Sequence, residues 1–277
     1  MPKIAILSDI HGNATALEAV LADAKAQQVS EYWTVGDNTV RGPEAERVMQ
    51  LLDHVQPTAA VLGNHEENYQ KVLAATPENF TKPKQIMATI LTDFDRQQLS
   101  PAHFQQLLQL PITQLKQVGP LTIRLQHVLP DFVSGHSLAP TEAQANFDEA
   151  ASGEPDIVIY AHTHQPLMRA STRGQLILNA GTVGLPTAPR PALRQPRAMY
   201  LILTIDETGV CGIDYRRVDF DWQRASKIAE NYHLPYLEFY TETLRTNAYQ
   251  YRPSAVAAYN DTHQLAAQAR AILMKTV

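Results

Sequence analysis

Five short apolar runs in this chain each end in side chains that can hold a metal ion. Lys3–Leu7 is followed by Asp9-Ile10-His11, Tyr32–Val35 by Gly36-Asp37-Asn38, and Ala59–Leu62 by Gly63-Asn64-His65-Glu66. Leu121–Gln126 runs straight into His127, and Asp156–Ala161 into His162-Thr163-His164. Taken singly, each has a bland explanation: Asp9 as a cap, Gly36-Asp37-Asn38 as a turn, Asn64-His65 as a loop, His162-Thr163-His164 as a surface strand. Five in succession, each after a β run, point to one rim, because ligands of an α/β sheet gather beyond the carboxyl ends of its strands. The candidate metal ligands are Asp9, His11, Asp37, Asn64, His127, His162 and His164. They offer oxygen and nitrogen but no sulfur, a set that suits Mn, Fe, Ni, Co or Zn without choosing among them. Seven ligands are too many for one ion, whereas two divalent ions sharing a carboxylate would use them all. Asp37 is the natural bridge, as the only carboxylate at the middle strand end. Such a site would attract a phosphate and leave neither Asp9 nor Asp37 free to act as a base.

These side chains need elements to position them. Asn13 predicts the cap of a helix with Leu17, Val20, Leu21 and Ala24 on one face, and Gly42-Pro43 opens a second helix carrying Val48, Leu51 and Leu52. Strand-helix-strand-helix-strand of this length predicts βαβ crossovers and an α/β sheet with a parallel core. Residues 66–117 read as a Gln-rich helical insertion over one edge, with a cap at Ser100-Pro101. Strand resumes at Leu121–His127, Asp156–Tyr160, Gln175–Asn179, Ala198–Ile205 and Val210–Val218. The last three have no long helix between them, which predicts an antiparallel second half. Residues 221–277 read as a helical extension. With no repeat and no low-complexity linker, residues 1–277 are expected to form one domain.

Composition narrows the classes. The chain has 277 residues, 44% of them apolar and 18% charged, an ordinary globular balance. A net charge of −5 leaves no global basic field for nucleic acid or an anionic membrane, so neither is the expected partner. No segment approaches the roughly 20 apolar residues of a membrane span, and a cytoplasmic protein is expected. The single Cys211 excludes an intrachain disulfide and a thiolate cluster and reads as a packing residue. His54, His103, His233 and His263 read as packing or surface residues, and Arg41, Arg190 and Arg194 as solvated arginines in the first instance, with reach to a phosphodiester as the alternative. An aromatic tail of Tyr236, Phe239, Tyr240, Tyr249, Tyr251 and Tyr259 reads as packing on the sheet or as a contact in a homo-oligomer.

The five blocks, in this order, resemble those of the calcineurin-like metallophosphoesterase superfamily. Gly36–Pro43 and Asn179–Pro186 are further similar to blocks of its bacterial phosphodiesterase-type group. The resemblance, which spans residue 3 to about 236, implies two mixed β-sheets packed face to face as a sandwich, flanked by helices, with a dimetal centre between loops. By position, Asp9, His11, Asp37 and His164 would hold one ion, and Asp37, Asn64, His127 and His162 the other. The implied nucleophile is a hydroxide bridging the ions, available at neutral pH because metal binding lowers the pKa of water. His65 would be the catalytic histidine, donating to the phosphate or protonating the leaving oxygen, with Asn64 and His65 at the substrate. General acid catalysis adds about 10²–10⁴-fold, so charge stabilisation by the ions would be the larger effect. The implied function is a metal-dependent phosphoesterase, chiefly a phosphodiesterase, acting on a small or nucleotide-like phosphate ester. A phosphomonoesterase or protein phosphatase, and a non-catalytic scaffold, are the alternatives.

Three positions depart from the family pattern. Ala161 stands where the family usually has Gly. The fourth block could be His127 or His136, and the clean strand before His127 favours it. Val40 precedes Arg41-Gly42, where Ser/Thr protein phosphatases carry an Asp; the carboxylate that would orient His65 is therefore missing there, leaving Glu66 or an Asp elsewhere to substitute. This counts against a protein phosphatase, while the presence of His65 counts against a scaffold. The helical insertion and the loop Leu129–Pro140 are expected to shape the substrate pocket.

Overall fold

A computed structural model describes residues 1–276. The chain opens with β1 (Lys3–Leu7), α1 (Ala14–Ala26), β2 (Glu31–Thr34), α2 (Ala45–Val55) and β3 (Ala59–Ala60). Three helices follow, α3 (Asn64–Leu73), α4 (Pro83–Gln98) and α5 (Pro101–Leu108). Then come β4 (Thr113–Val118), β5 (Leu121–Gln126), α6 (Gln144–Ala150), β6 (Ile157–Tyr160), β7 (Leu167–Ala170) and β8 (Leu176–Asn179). The long hairpin β9 (Arg197–Asp206) and β10 (Gly209–Asp219) precedes α7 (Trp222–Asn231), α8 (Leu237–Thr246), α9 (Pro253–Thr262) and α10 (Leu265–Thr276).

The strands form two mixed five-stranded sheets, ordered β10-β9-β1-β2-β3 and β4-β5-β6-β8-β7. In the first, β1, β2 and β3 are parallel and the β9–β10 hairpin adds antiparallel. In the second, β5, β6 and β8 are parallel, and β4 and β7 close the edges antiparallel. Side-chain alternation along each strand explains the layers. Ile4 and Ile6 of β1 and Leu201, Leu203 and Ile205 of β9 meet Ile123, Leu125, Ile157 and Ile159 of the other sheet in a core between the sheets. Ala5 and Leu7, one residue out of phase, face α1, α2 and α4 instead, and Val158 and Tyr160 of β6 pack on Phe147 of α6. Fully burying each such Ile or Leu contributes about 1.5–3 kcal/mol, so the cores between the sheets and under the helices both hold the fold together.

The expected strands are all present, with four differences. Thr113–Val118, inside the stretch read as helix to residue 117, pairs with β5 as an edge strand. Leu167–Ala170, not anticipated, is the opposite edge. The Gln175–Asn179 run does not join the β9–β10 hairpin: β8 lies in the second sheet, parallel to β6 and antiparallel to β7, so the three runs do not form one antiparallel unit. The third run pairs over just Ala59–Ala60. Asn13 caps α1 as expected, accepting from the Ala16 N–H at 3.0 Å, and Ser100 caps α5. Among the described residues, no helix is long and apolar enough to cross a membrane.

Candidate metal centre

Because β1, β2 and β3 run parallel, their carboxyl ends lie at one edge, and those of β5 and β6 meet them there. The loops beyond are tied to each other by backbone hydrogen bonds: Asp9 N–H to Gly36 O at 3.1 Å, His11 N–H to Asp37 O at 2.9 Å, Gly184 N–H to Asp9 O at 3.0 Å, and Ala161 N–H to His127 O at 3.0 Å. Five of the seven expected ligands have left-handed backbone, with φ of 51° at Asp9, 49° at His11, 54° at Asp37, 68° at His162 and 59° at His164. Non-glycine residues seldom adopt this conformation, and where they cluster they mark sites whose geometry the surroundings impose. The approach is close enough to demand glycine: a Cβ on Gly63 would lie 2.2 Å from Asp37 Oδ1. Ala161 is not among the left-handed residues, which explains why a methyl is tolerated there.

All seven expected ligands and His65 converge. Asp9, His11 and His164 form one cluster, and Asp37, His127 and His162 another. Asp9 Oδ1 is 3.3 Å from His164 Nε2 and 3.9 Å from His11 Nε2. Asp37 Oδ2 stands between the clusters, 3.8 Å from His11 Nε2 and 3.4 Å from His127 Nε2, while its Oδ1 accepts the His65 N–H at 2.9 Å. Asn64 Oδ1 is 2.7 Å from His162 Nδ1. His127, not His136, sits in the cluster; His136 lines the cleft outside, its ring 6.3 Å from that of His162.

These residues fit metal ions on the chemistry of the donors themselves. The Nδ1 atoms of His11, His127 and His164 face the carbonyls of Val40, Val35 and Leu185 at 3.2, 2.7 and 2.8 Å, which fixes the proton on Nδ1 and leaves Nε2 as a lone pair. His11 Nε2 then faces His164 Nε2 at 3.1 Å, two lone pairs with nothing to share unless a cation joins them. Asp9 Oδ1 and His127 Nε2 are buried without a hydrogen-bond partner. Burial lowers a histidine, yet the Asp37 carboxylate raises His127 to about 9, so without a cation its Nε2 would take a proton, and the same position would give its lone pair to a metal ion instead. Burial takes His162 down to about 4, and burial followed by Arg41 holds His65 well below the ordinary range.

Several supports were not legible from the motifs. Glu66 does not orient His65, whose Nδ1 is buried without a partner. Its carboxylate instead accepts the N–H groups of Gly63 and Asp37 on Oε2 at 3.0 and 2.9 Å, and of Asn38 and Thr39 on Oε1 at 2.7 and 3.4 Å. Burial and then the Asp37 charge push Glu66 up to about 7. Asp95 of α4 accepts the Val40 N–H at 2.9 Å and the Tyr69 hydroxyl, bracing a β-branched residue at φ 62°. The Asn-His of the third block opens α3, whose first N–H groups and dipole face the site. His103, expected as a packing or surface residue, bridges Glu46 and Asp53 at 2.9 and 2.8 Å.

Two clefts reach the centre. One, of about 440 Å³, is lined by Arg41, Arg194, Tyr249 and Arg252 together with His136 and Ala139 of the expected loop. The other, of about 460 Å³, is lined by Asn68, Lys71, Phe80 and Lys84 of the helical stretch. They share Arg41, Asn64 and His65. Arg190 lines neither. Of the aromatic tail, Tyr236, Tyr240 and Tyr251 are buried, whereas Tyr249 faces a cleft.

A two-sheet sandwich carrying Asp, Asn and His at the joined strand ends defines a class of metal-dependent phosphoester hydrolases. The chain belongs to the calcineurin-like phosphoesterase superfamily, whose domain matches residues 2–208. An uncharacterized protein of Methanocaldococcus jannaschii is 25% identical over 240 residues, 82% of this chain and 92% of its own length. The crystal structure of a metallophosphoesterase from Sphaerobacter thermophilus superimposes with a TM-score of 0.69 at 24% identity, covering 89% of this chain and all of that one. A hypothetical protein from Pyrococcus horikoshii gives a TM-score of 0.71 at 17% identity over 90% of this chain and 98% of its own.

Proposed function

We propose that this protein is a phosphodiesterase that hydrolyses a small or nucleotide-like phosphodiester at a dinuclear centre. The observation that carries the choice of diester is the pair of clefts diverging from Arg41, Asn64 and His65. A monoester needs room for one substituent, whereas a diester bound with its phosphorus at the junction needs two. The position of Asp37 Oδ2 between His11 and His127 supports a bridging role and hence two ions. Asp9, His11, Asp37 and His164 would hold one ion, and Asp37, Asn64, His127 and His162 the other. When bound, the ions supply Lewis-acid activation of the phosphoryl oxygens and a nucleophile at neutral pH. The chain's own residues do the rest. The carbonyls of Val35, Val40 and Leu185 orient three imidazoles, the His65 N–H holds one oxygen of Asp37, and Arg41 offers a guanidinium at the junction. His65, which lines both clefts, is held neutral by its surroundings and would donate a hydrogen bond to a phosphoryl oxygen or to the leaving oxygen, becoming a proton donor only where the charge of the bound phosphate raises its pKa. Val40 in place of an Asp argues against a protein phosphatase.

The test is metal content together with hydrolysis of a bis-aryl and a mono-aryl phosphate by wild type, Asp37→Asn and His65→Ala. The expected result is about two ions per chain in wild type and diester turnover lost in both variants. Mono-aryl preference, or turnover that survives thorough chelation, would overturn the proposal.

A further inference from the structure

Tyr249 and Arg252 lie beyond residue 208, where the superfamily match ends, yet both line the cleft of about 440 Å³ leading to the centre. Arg194 reaches the same wall from the loop before β9. We propose that this cleft is an anion subsite: the substrate carries, besides the scissile diester, a second anionic group held by Arg194 and Arg252. The proposal rests on the phosphodiesterase reading and names the chemistry of the substituent that enters this arm.

An exposed arginine is ordinarily just solvated, so what matters is where the unpaired ones gather. Arg47, Arg173, Arg197, Arg216, Arg224 and Arg245 each pair with a carboxylate. Of the described arginines without such a partner, Arg41, Arg194 and Arg252 line this one cleft, and the one carboxylate lining it is Asp37, which belongs to the centre. Arg194 is fixed by its own loop, its Nε donating to Ala188 O at 3.0 Å and its Nη2 to Pro189 O at 3.5 Å. In a chain of net charge −5, two guanidinium groups without a carboxylate partner, from separate segments, line one cleft. The Tyr249 phenol senses the surrounding field. Burial would raise it, but Arg41 and Lys84 hold it below the ordinary range. Planar, bidentate donors of this kind suit a phosphate or carboxylate, and the exposed ring of Tyr249 offers an apolar face to the body that joins the two anions.

The test uses three 4-nitrophenyl phosphodiesters whose other substituent ends in a carboxamide, a carboxylate or a phosphate monoester. Released nitrophenol is read for wild type and for the Arg194→Gln/Arg252→Gln double variant. In wild type, kcat/KM rises on the order of tenfold from the carboxamide to an anionic terminus, and the rise shrinks in high salt. The double variant abolishes the rise. A rise with either anion supports the subsite, and the larger of the two identifies the group. Equal kcat/KM for carboxamide and both anions in wild type, or an equal fall for all three probes in the double variant, overturns it. If wild type cleaves none of the three, the phosphodiesterase reading fails by itself. Calorimetry with the corresponding non-hydrolysable phosphonates then decides the subsite, and equal affinity for carboxamide and anionic forms overturns it.

Discussion

Glu66→Gln removes the support under the middle strand end with the smallest possible change of shape. Glu66 is fully buried, and its two oxygens accept four backbone N–H groups, from Gly63, Asp37, Asn38 and Thr39. A glutamine keeps one oxygen and turns the other into an NH2 group. Whichever way the amide lies, two of the four N–H groups lose their acceptor and meet a donor instead. A buried donor left unsatisfied costs about 1–3 kcal/mol, so the variant should lose about 2–6 kcal/mol. That is a large share of the typical 5–15 kcal/mol total. At about 2–4 °C per kcal/mol for a chain of this size, the melting temperature should fall by about 5–20 °C. Thermal unfolding of the metal-loaded protein, with ion content measured on the same preparation, checks both consequences, because Asp37 sits on the loop that is released. A melting temperature within about 2 °C of wild type, with ion content unchanged, would refute the view that Glu66 holds this loop.

Gly63→Ala is permitted by its backbone, φ −98° and ψ 173°, so its effect comes from the collision of the new Cβ with Asp37, at Oδ1 and the backbone N, and with Glu66 Oε2; a displacement of the order of an ångström should lower diester kcat by about 10²-fold in a standard turnover assay. His164→Ala takes away an imidazole nitrogen 3.3 Å from Asp9 Oδ1, and on the dinuclear reading metal analysis should find about one ion per chain against about two in wild type. Glu46 and Asp53 raise the pKa of His103 against its partial burial, so the stability it contributes is fully present below the ordinary imidazole value and disappears as pH rises through the raised one. Urea unfolding of His103→Ala should therefore show a deficit of up to about 1 kcal/mol at acidic pH that closes at alkaline pH; a deficit independent of pH would contradict this.

Much of the centre was legible because its ligands follow apolar runs in the chain, and the order of the runs is the order in which the fold uses them. His127 was preferred to His136 for the strand before it, and the structure brings His127 beside Asp37. What was hidden depends on partners distant in sequence. Thr113–Val118 is polar and half exposed with a single large apolar residue, Leu115, so nothing local marks it as a strand until β5 lies beside it. The Gln175–Asn179 run carries no signal of which sheet it will join, and it joins the second because β6 offers a parallel edge. The left-handed backbone at Asp9, His11, Asp37, His162 and His164 has no glycine to announce it. Glu66 could be seen as a nearby carboxylate, but its use on four backbone N–H groups rather than on His65 follows from how tightly the loop after β2 folds over α3. Arg252 and Tyr249 belong to a tail whose return to the cleft no motif encodes.

His127 donates from Nδ1 to the Val35 carbonyl at 2.7 Å, a bond that joins the second sheet to the first directly beneath the centre. The donors around it are drawn from residue 9 to residue 164, so no short stretch of the chain can gather them. An ion captured here closes loops of many tens of residues, and the entropy of closing them must already have been met by docking of the two sheets. Metal held by these donors would therefore load late, after assembly of the sandwich. To the extent that it binds the assembled form in preference, its concentration in the surroundings would add to the stability of the joined sheets.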